Sequence, residues 1–151
     1  MKQAHLDVVN QTPSTTIYTI HFEGDSLSEF EKFVEKFKGN AKYQRDYAIV
    51  IYAIQKMSEN GILERYFRYE SKHSSGVCAI PVTTSKLRLY CLRLSDKILI
   101  LGNGDVKNTR TYQEDQELLG YVMDLQEFES LIKIGEKKGS ITISETEISG
   151  I

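Results

Sequence analysis

The stretch that most constrains the fold covers residues 86–117, which read KLRLYCLRLSDKILILGNGDVKNTRTYQEDQE. Two apolar segments, 87–94 and 97–102, are separated only by Ser95-Asp96, which predicts two strands joined by a tight turn. The Gly102-Asn103-Gly104-Asp105 run reads as a further turn. A Lys107-x-x-Arg110-x-Tyr112 cluster follows and leads into an acidic helix start. Two strands with a basic, tyrosine-containing exit are typical of a sheet edge that handles phosphate groups.

Length and composition indicate one ordinary globular domain. The chain has 151 residues, of which 40% are hydrophobic and 26% are charged. A chain of this size buries roughly two thirds of its unfolded surface without metals or disulfides. The formal net charge is −2 and the isoelectric point about 5.9. Nucleic-acid-binding proteins usually have a basic surface, so the overall balance argues mildly against RNA.

The charge is segregated along the chain, however. Residues 86–110 hold six basic and two acidic side chains, a local charge of +4. Residues 113–129 hold six acidic side chains and no basic one. A near-neutral total can therefore hide a basic face, although both segments could equally be ordinary solvated surface.

The sequence predicts a cytoplasmic protein that does not enter a membrane. No apolar run approaches the roughly 20 residues of a membrane span, and the N-terminus lacks the apolar core of a signal peptide. Two cysteines in a chain of this length fit a reducing compartment, where buried thiols are favoured over a disulfide. His5, His21 and His73 are scattered in the sequence, so their spacing predicts no metal site, and no cofactor is expected.

Two helices are predicted between residues 26 and 60. Ser26-x-x-Glu29 fits a capping box, in which two side chains satisfy each other's backbone donors. The first helix carries an apolar stripe and ends at Gly39; the stripe is Phe30, Phe33, Val34 and Phe37. The second helix, 42–59, stops at Asn60-Gly61; its stripe is Tyr47, Val50, Ile51, Ile54 and Met57. The short link between them predicts an antiparallel helical hairpin.

Strands are predicted at 17–22, 77–82, 87–94 and 97–102, whereas residues 62–70 are ambiguous. Residues 113–123 and 125–137 read as helical. The expected domain covers residues 17–137, preceded by a polar extension (1–16) with little regular structure. It is followed by a tail (138–151) that is either a weak strand or disordered. The fold class is α+β, a helical hairpin packed on a twisted antiparallel sheet in the order β-αα-βββ-α.

Alternation along the strands sorts the predicted sheet into two faces. If Val82 lies opposite Leu87, then Cys78 lies opposite Cys91 and one face is wholly apolar and suited to receive the helices. The other face carries Arg88 and Tyr90. It is expected to be open and directed towards the cations and tyrosine at the strand exit.

This pattern resembles the central motif of the RelE/ParE-type toxin superfamily, in particular its phage-derived, HigB-like branch. Members carry an arginine on an "RLxY" strand, then an "ILxLxG" strand and a basic run, to which the stretch from Arg88 to Arg110 is similar. The resemblance spans about residues 17–123. It implies the toxin of a type II toxin–antitoxin pair, a metal-free endoribonuclease that cleaves mRNA at the ribosome. Its antitoxin partner would be a helix-turn-helix protein.

The resemblance also implies roles for individual residues. Arg88 corresponds to the strand arginine that contacts phosphate and stabilises the transition state, and Arg110 or Lys107 to the cation after the last strand. Tyr112 corresponds to the tyrosine that stacks on a base or assists proton transfer. Tyr90 and Lys107 would contact RNA. Lys72 and His73 could replace the strand lysines that family members place before the arginine strand.

Alternatives remain open at this stage. Arg88 could be a solvated cross-strand partner, Lys107 and Arg110 could pair with Glu114, Asp115 and Glu117, and Tyr112 could pack on the following helix. The strand VCAIPV lacks a cation, and this favours a non-catalytic relative that binds RNA or a protein. A third hypothesis is an unrelated α+β domain with a structural role.

Overall fold

A computed structural model describes residues 2–69, 76–81 and 85–151. Its strands are β1 (Ala4–Gln11), β2 (Thr16–Phe22), β3 (Arg68–Tyr69), β4 (Val77–Pro81), β5 (Leu87–Arg93), β6 (Ile98–Val106), β7 (Thr142–Ile143) and β8 (Ile148–Ser149). Its α-helices are α1 (Glu29–Phe37), α2 (Gln44–Asn60) and α3 (Gln116–Lys138). Within the described ranges, no helix combines the length and apolar character needed to cross a bilayer.

The strands form a mixed, mostly antiparallel sheet. The order is β1-β2-β6-β5-β4-β3, and β7 pairs with β8 in a separate two-stranded ribbon. Among the described strands, only the interior pair of β2 and β6 is parallel. Since parallel strands need a long crossover, the chain between them carries α1 and α2 before the β4–β5–β6 meander returns to β2. The predicted α+β class is confirmed.

Helices cover both faces of this sheet. Phe33 and Phe37 of α1 and the α2 stripe pack on one face, with Ile17, Leu89 and Leu99 beneath them. The opposite face packs against a stripe of α3, formed by Leu118, Val122, Leu125, Phe128 and Ile132. The expectation that this second face is open is therefore wrong. Its apolar side chains required a cover, and the two helical segments predicted after residue 113 join into the single helix α3.

The predicted register between β4 and β5 is confirmed where the structure describes it. Ile80 lies opposite Leu89 and Cys78 opposite Cys91. The predicted Val82–Leu87 pair lies outside the described residues. Both cysteines are buried free thiols. Burial away from water raises the pKa of the Cys91 thiol well above its usual value, so this sulfur stays protonated.

Residues 4–11 form an edge strand, which corrects the prediction of an irregular extension over 1–16. β1 pairs antiparallel with β2, with His5 opposite His21 and a register shift between Val8 and Asn10. Ala4 and Leu6 pack against the cluster under α3, and Val9 packs against the cluster under α1 and α2. The tail also pairs, as β7 and β8, and Ile141 packs against Gly135 of α3.

The capping box of α1 is formed two residues later than predicted. The Ser28 hydroxyl accepts from the Glu31 N–H at 3.2 Å, and Glu31 accepts from the Ser28 N–H at 2.9 Å. Glu29, the predicted partner of Ser26, instead contacts Lys32 at 2.6 Å and is buried. Ser26–Glu29 and Ser28–Glu31 both fit the capping-box spacing. The helix uses the second pair, which starts it at the point where Phe33 and Phe37 face the core.

The run Gly102-Asn103-Gly104-Asp105, predicted as a turn, belongs to β6. The strand continues to Val106 and pairs Gly104 with Leu89, beside a register shift in β5. A Cβ atom on Gly104 would lie 2.0 Å from the carbonyl oxygen of Arg88. Glycine here serves the close approach of two strands rather than a chain reversal.

Gly104→Ala should lower the free energy of unfolding by about 1–3 kcal/mol, because the strands must separate to admit a methyl group. Gly120→Ala is the matched control. Nothing lies within 4 Å of a Cβ at that position in α3, and alanine there should stabilise the helix by roughly 0.5–1 kcal/mol. Urea denaturation measures both. Equal stability of Gly104→Ala and wild type would contradict the described β5–β6 approach.

The Glu31 carboxylate should stabilise the fold in a pH-dependent way. Hydrogen bonds from Ser28, first from its backbone, lower the pKa of Glu31 below its usual value. A lowered folded-state pKa gives stability that is present above the unfolded-state pKa and lost as pH falls through the folded-state value. Wild type should therefore exceed Glu31→Gln in stability at neutral pH, and the difference should vanish in acid. Glu35→Gln, an exposed control, should stay within about 0.5 kcal/mol of wild type; a pH-independent gap would contradict the charge effect.

Candidate functional site

One end of the β5–β6 pair carries the predicted basic residues. Leu87 lies opposite Val106 and Arg88 opposite Asp105, and the Lys107 N–H donates to the Lys86 carbonyl at 2.7 Å. The register therefore places Lys86, Arg88 and Lys107 at the same end of the sheet. We call these three residues the basic end. Arg110 follows it on an exposed segment.

Arg88 is half-buried and turned back towards its own strand. One guanidinium nitrogen, Nη1, donates to the carbonyl oxygens of Ser85 and Leu87, each at 2.9 Å. The buried Nε has no hydrogen-bond partner among the described residues. Leaving a buried donor unsatisfied costs about 1–3 kcal/mol, so the folded position of Arg88 is held by the two Nη1 hydrogen bonds against this cost. The guanidinium is thus pre-positioned rather than free in solvent.

A lysine from α1 reaches the same end of the sheet. Lys36 Nζ lies 3.3 Å from Asp105 Oδ2 and 3.2 Å from the Tyr121 hydroxyl, and it also donates to the Gly104 carbonyl. The carboxylate opposite Arg88 is therefore engaged by Lys36. Lys36, from a third element, therefore offsets the negative charge of Asp105. Lys36 has no distinguishing signal in the sequence, because a lysine in the last turn of a helix is ordinary by itself.

The two predicted tyrosines are core residues. Tyr90 is fully buried, Tyr112 is 4% exposed, and their ring centroids lie 6.4 Å apart in an edge-to-face arrangement under α3. Neither ring is exposed to a nucleic-acid base in this structure. The alternative that Tyr112 packs on the following helix agrees with this placement.

The remaining predicted residues lie in different surroundings. Lys107 is largely buried. Arg110 is exposed and makes no ion pair among the described residues. Two of the acids proposed as their partners act locally. Asp115 caps α3 by accepting from the Glu117 and Leu118 N–H groups, and Glu114 accepts from the Thr111 hydroxyl at 3.3 Å. Lys72 and His73 lie outside the described residues.

A second polar cluster joins two histidines that are far apart in the sequence, which corrects the prediction that the histidines are scattered. His5 and His21 stack with ring centroids 4.8 Å apart, and Asp7 contacts both imidazoles. The Asp25 carbonyl and then Asp7 raise the pKa of His21 above its usual value. The sequence signal for this cluster is the His5-x-Asp7 spacing, which puts both side chains on one face of a strand. It indicates a cluster with His21 only if residues 4–11 are recognised as a strand paired with β2.

Comparisons with models of protein families, with curated proteins and with solved structures return no match for this chain. Its function must therefore be argued from the residues and their arrangement.

The burial of Tyr112 has a direct consequence for stability. Tyr112→Ala should lower the free energy of unfolding by about 3 kcal/mol or more, because it empties a packed aromatic site. Tyr52→Ala is the matched control: Tyr52 is 59% exposed, and its loss should change stability by less than about 0.5 kcal/mol. Chemical denaturation compares the two. A Tyr112→Ala protein as stable as the control would mean that the ring is not in the core.

Proposed function

We propose that the chain is the toxin of a type II toxin–antitoxin pair, a RelE-like endoribonuclease that cleaves mRNA at the ribosome in the cytoplasm. The order of β2, the helices α1 and α2, and the meander β4–β5–β6 supports this, since it matches the layout implied by the resemblance. The observation that carries the proposal is Arg88. Its guanidinium is held by hydrogen bonds to the Ser85 and Leu87 carbonyl oxygens and lies at a basic end to which Lys36 also reaches.

The chemistry would depend on positive charge placed at a phosphate. In the reaction implied by the resemblance, a ribose 2′-oxygen attacks the adjacent phosphorus, the P–O bond to the 5′-oxygen breaks, and a cyclic phosphate remains. Negative charge builds on the phosphoryl oxygens in the transition state. A held guanidinium stabilises that charge without reorganising first. Arg88 would supply this group, with Arg110 and Lys107 as further phosphate contacts.

A non-catalytic relative that keeps RNA or protein binding is the second candidate. The burial of Tyr90 and Tyr112 favours it, because neither phenol is exposed to stack on a base or to transfer a proton. The strand β4 also carries no cation over Val77–Pro81. Binding through phosphate contacts needs only the cations, whereas cleavage also needs a group that accepts the 2′-OH proton.

Arg88→Ala decides between these functions. Induced expression of the wild-type chain without its antitoxin should arrest bacterial growth, with mRNA cleavage visible by primer extension. Arg88→Ala should relieve the arrest, since loss of one well-placed donor costs about 2.7–4 kcal/mol of transition-state stabilisation, or roughly 10²–10³ in rate. Arg45→Ala, which removes an exposed arginine at the start of α2, should remain toxic.

The other outcomes are equally informative once matched thermal unfolding shows that the variants are folded. Normal growth and intact mRNA with soluble wild-type protein would reject the enzyme. RNA binding that weakens in Arg88→Ala but not in Arg45→Ala would then support the non-catalytic relative. Tyr112→Phe is the suitable test of the phenol, because it keeps the ring in the core.

A further inference from the structure

The His5–Asp7–His21 cluster lies on the edge hairpin, away from the residues assigned above. His5 and His21 are directly opposite each other on β1 and β2, and Asp7 follows two residues later on the same face of β1. Directly opposed side chains in an antiparallel pair lie about 4.5–5.5 Å apart at Cβ. The pairing of the two strands therefore fixes all three groups relative to one another.

The three side chains converge through their ligand atoms. His5 Nε2 lies 3.0 Å from Asp7 Oδ1, and His21 Nδ1 lies 2.6 Å from Asp7 Oδ2. The nitrogen and oxygen atoms that could bind an ion all lie within 4.8 Å of one another. The two rings are near-parallel, with an interplanar angle of 22°. Each imidazole thus directs one nitrogen towards a single carboxylate.

The hydrogen bond of His21 to the backbone determines which of its nitrogens is free. Nε2 lies 2.8 Å from the Asp25 carbonyl oxygen, which can only accept, so Nε2 carries hydrogen. In the neutral ring Nδ1 then presents a lone pair to Asp7 Oδ2. Two acceptors 2.6 Å apart repel unless a cation lies between them. Histidine ligands in metal sites show the same arrangement, with the second ring N–H donated to a backbone carbonyl.

We propose that His5, Asp7 and His21 bind one divalent transition-metal ion of the Zn²⁺ type. Two imidazoles and one carboxylate are ligands that Zn²⁺ accepts in three-residue sites, with a fourth position left for water. Softer ions would prefer thiolates, whereas Mg²⁺ and Ca²⁺ prefer oxygen alone. The site would be open to solvent on the side of His5, whose side chain is 55% exposed.

Only a small adjustment is needed to close the site around an ion. Tetrahedral Zn²⁺ with bonds near 2.0–2.1 Å holds neighbouring ligand atoms about 3.3 Å apart. Asp7 already lies within that distance of both imidazoles. His5 can approach by rotating, because it is exposed, whereas His21 is 18% exposed and held by the Asp25 carbonyl.

The charges around Asp7 favour a cation between it and the two imidazoles. Lys32 is engaged by Asp25 and Glu29, each at 2.6 Å. Within the described chain, the ion-pair partners of Asp7 are the two histidines alone. Glu31 adds further negative potential beside His21. A bound ion would also tie the edge strand β1 to β2 and so stabilise the hairpin.

Calorimetric titration of the full-length, untagged protein with Zn²⁺ in a non-chelating buffer tests the proposal. We expect one saturable ion per chain at micromolar concentration, and affinity at least about tenfold weaker in His5→Ala, in His21→Ala and in Asp7→Asn. His73→Ala removes the only other histidine of the chain and should bind like wild type. Zn²⁺ should raise the melting temperature of wild type but not of His21→Ala.

Co²⁺ gives an independent readout that does not depend on heat or stability. Bound Co²⁺ should show visible d–d absorption in wild type and lose it in His5→Ala, whose exposed position keeps the variant folded. Absence of saturable Zn²⁺ binding to wild type would overturn the proposal. So would a His5→Ala, His21→Ala double variant that binds like wild type. Either result would mean that His5, Asp7 and His21 do not form a metal site.

Discussion

The structure depends on β6, the strand between β2 and β5. Its first seven residues are buried, and side chains from both of its faces belong to the core. A strand buried on both sides requires helices on both faces of the sheet, and α1 with α2 on one face and α3 on the other meet this requirement. The parallel pairing of β2 and β6 sets the path of the chain. Because of this pairing, α1 and α2 lie in the chain between β2 and the meander. The basic end lies where β5 and β6 pair beyond their buried residues.

Much of this fold could be predicted because strong local patterns agreed with the final packing. Alternation in β4 and β5 gave the register of the two cysteines, and helical stripes gave the buried faces of α1 and α2. The failures have physical causes. A register shift between Val8 and Asn10 breaks the alternation of β1, and Val8 is 54% exposed, so no regular apolar face marks this edge strand in the sequence. The glycines in β6 predict a turn, but Gly104 is needed because β5 and β6 approach each other closely at this position.

The candidate site was less predictable, because sequence alternation assigns a residue to a face but does not say what covers that face. Tyr90 was placed correctly opposite the Cys78–Cys91 face, yet α3 buries it. The neighbouring Val77, Ala79 and Leu92 were the available sign, since a face with three apolar residues is rarely left to water. Lys36 reaches the basic end from a different element, and His5 meets His21 only through the pairing of β1 with β2. Local sequence patterns therefore reveal neither contact.

The two polar sites lie at opposite ends of α1. The Ser28–Glu31 capping box at its start lies beside His21, and Lys36 in its last turn contacts Asp105 opposite Arg88. Ser28 and Lys36 are eight residues apart, which corresponds to roughly 12 Å along the helix axis. Groups separated by more than about 7–10 Å without shared partners contribute independently. Substitutions in the histidine cluster and at the basic end should therefore have additive effects on stability, since α1 itself is fixed to the core through Phe33 and Phe37.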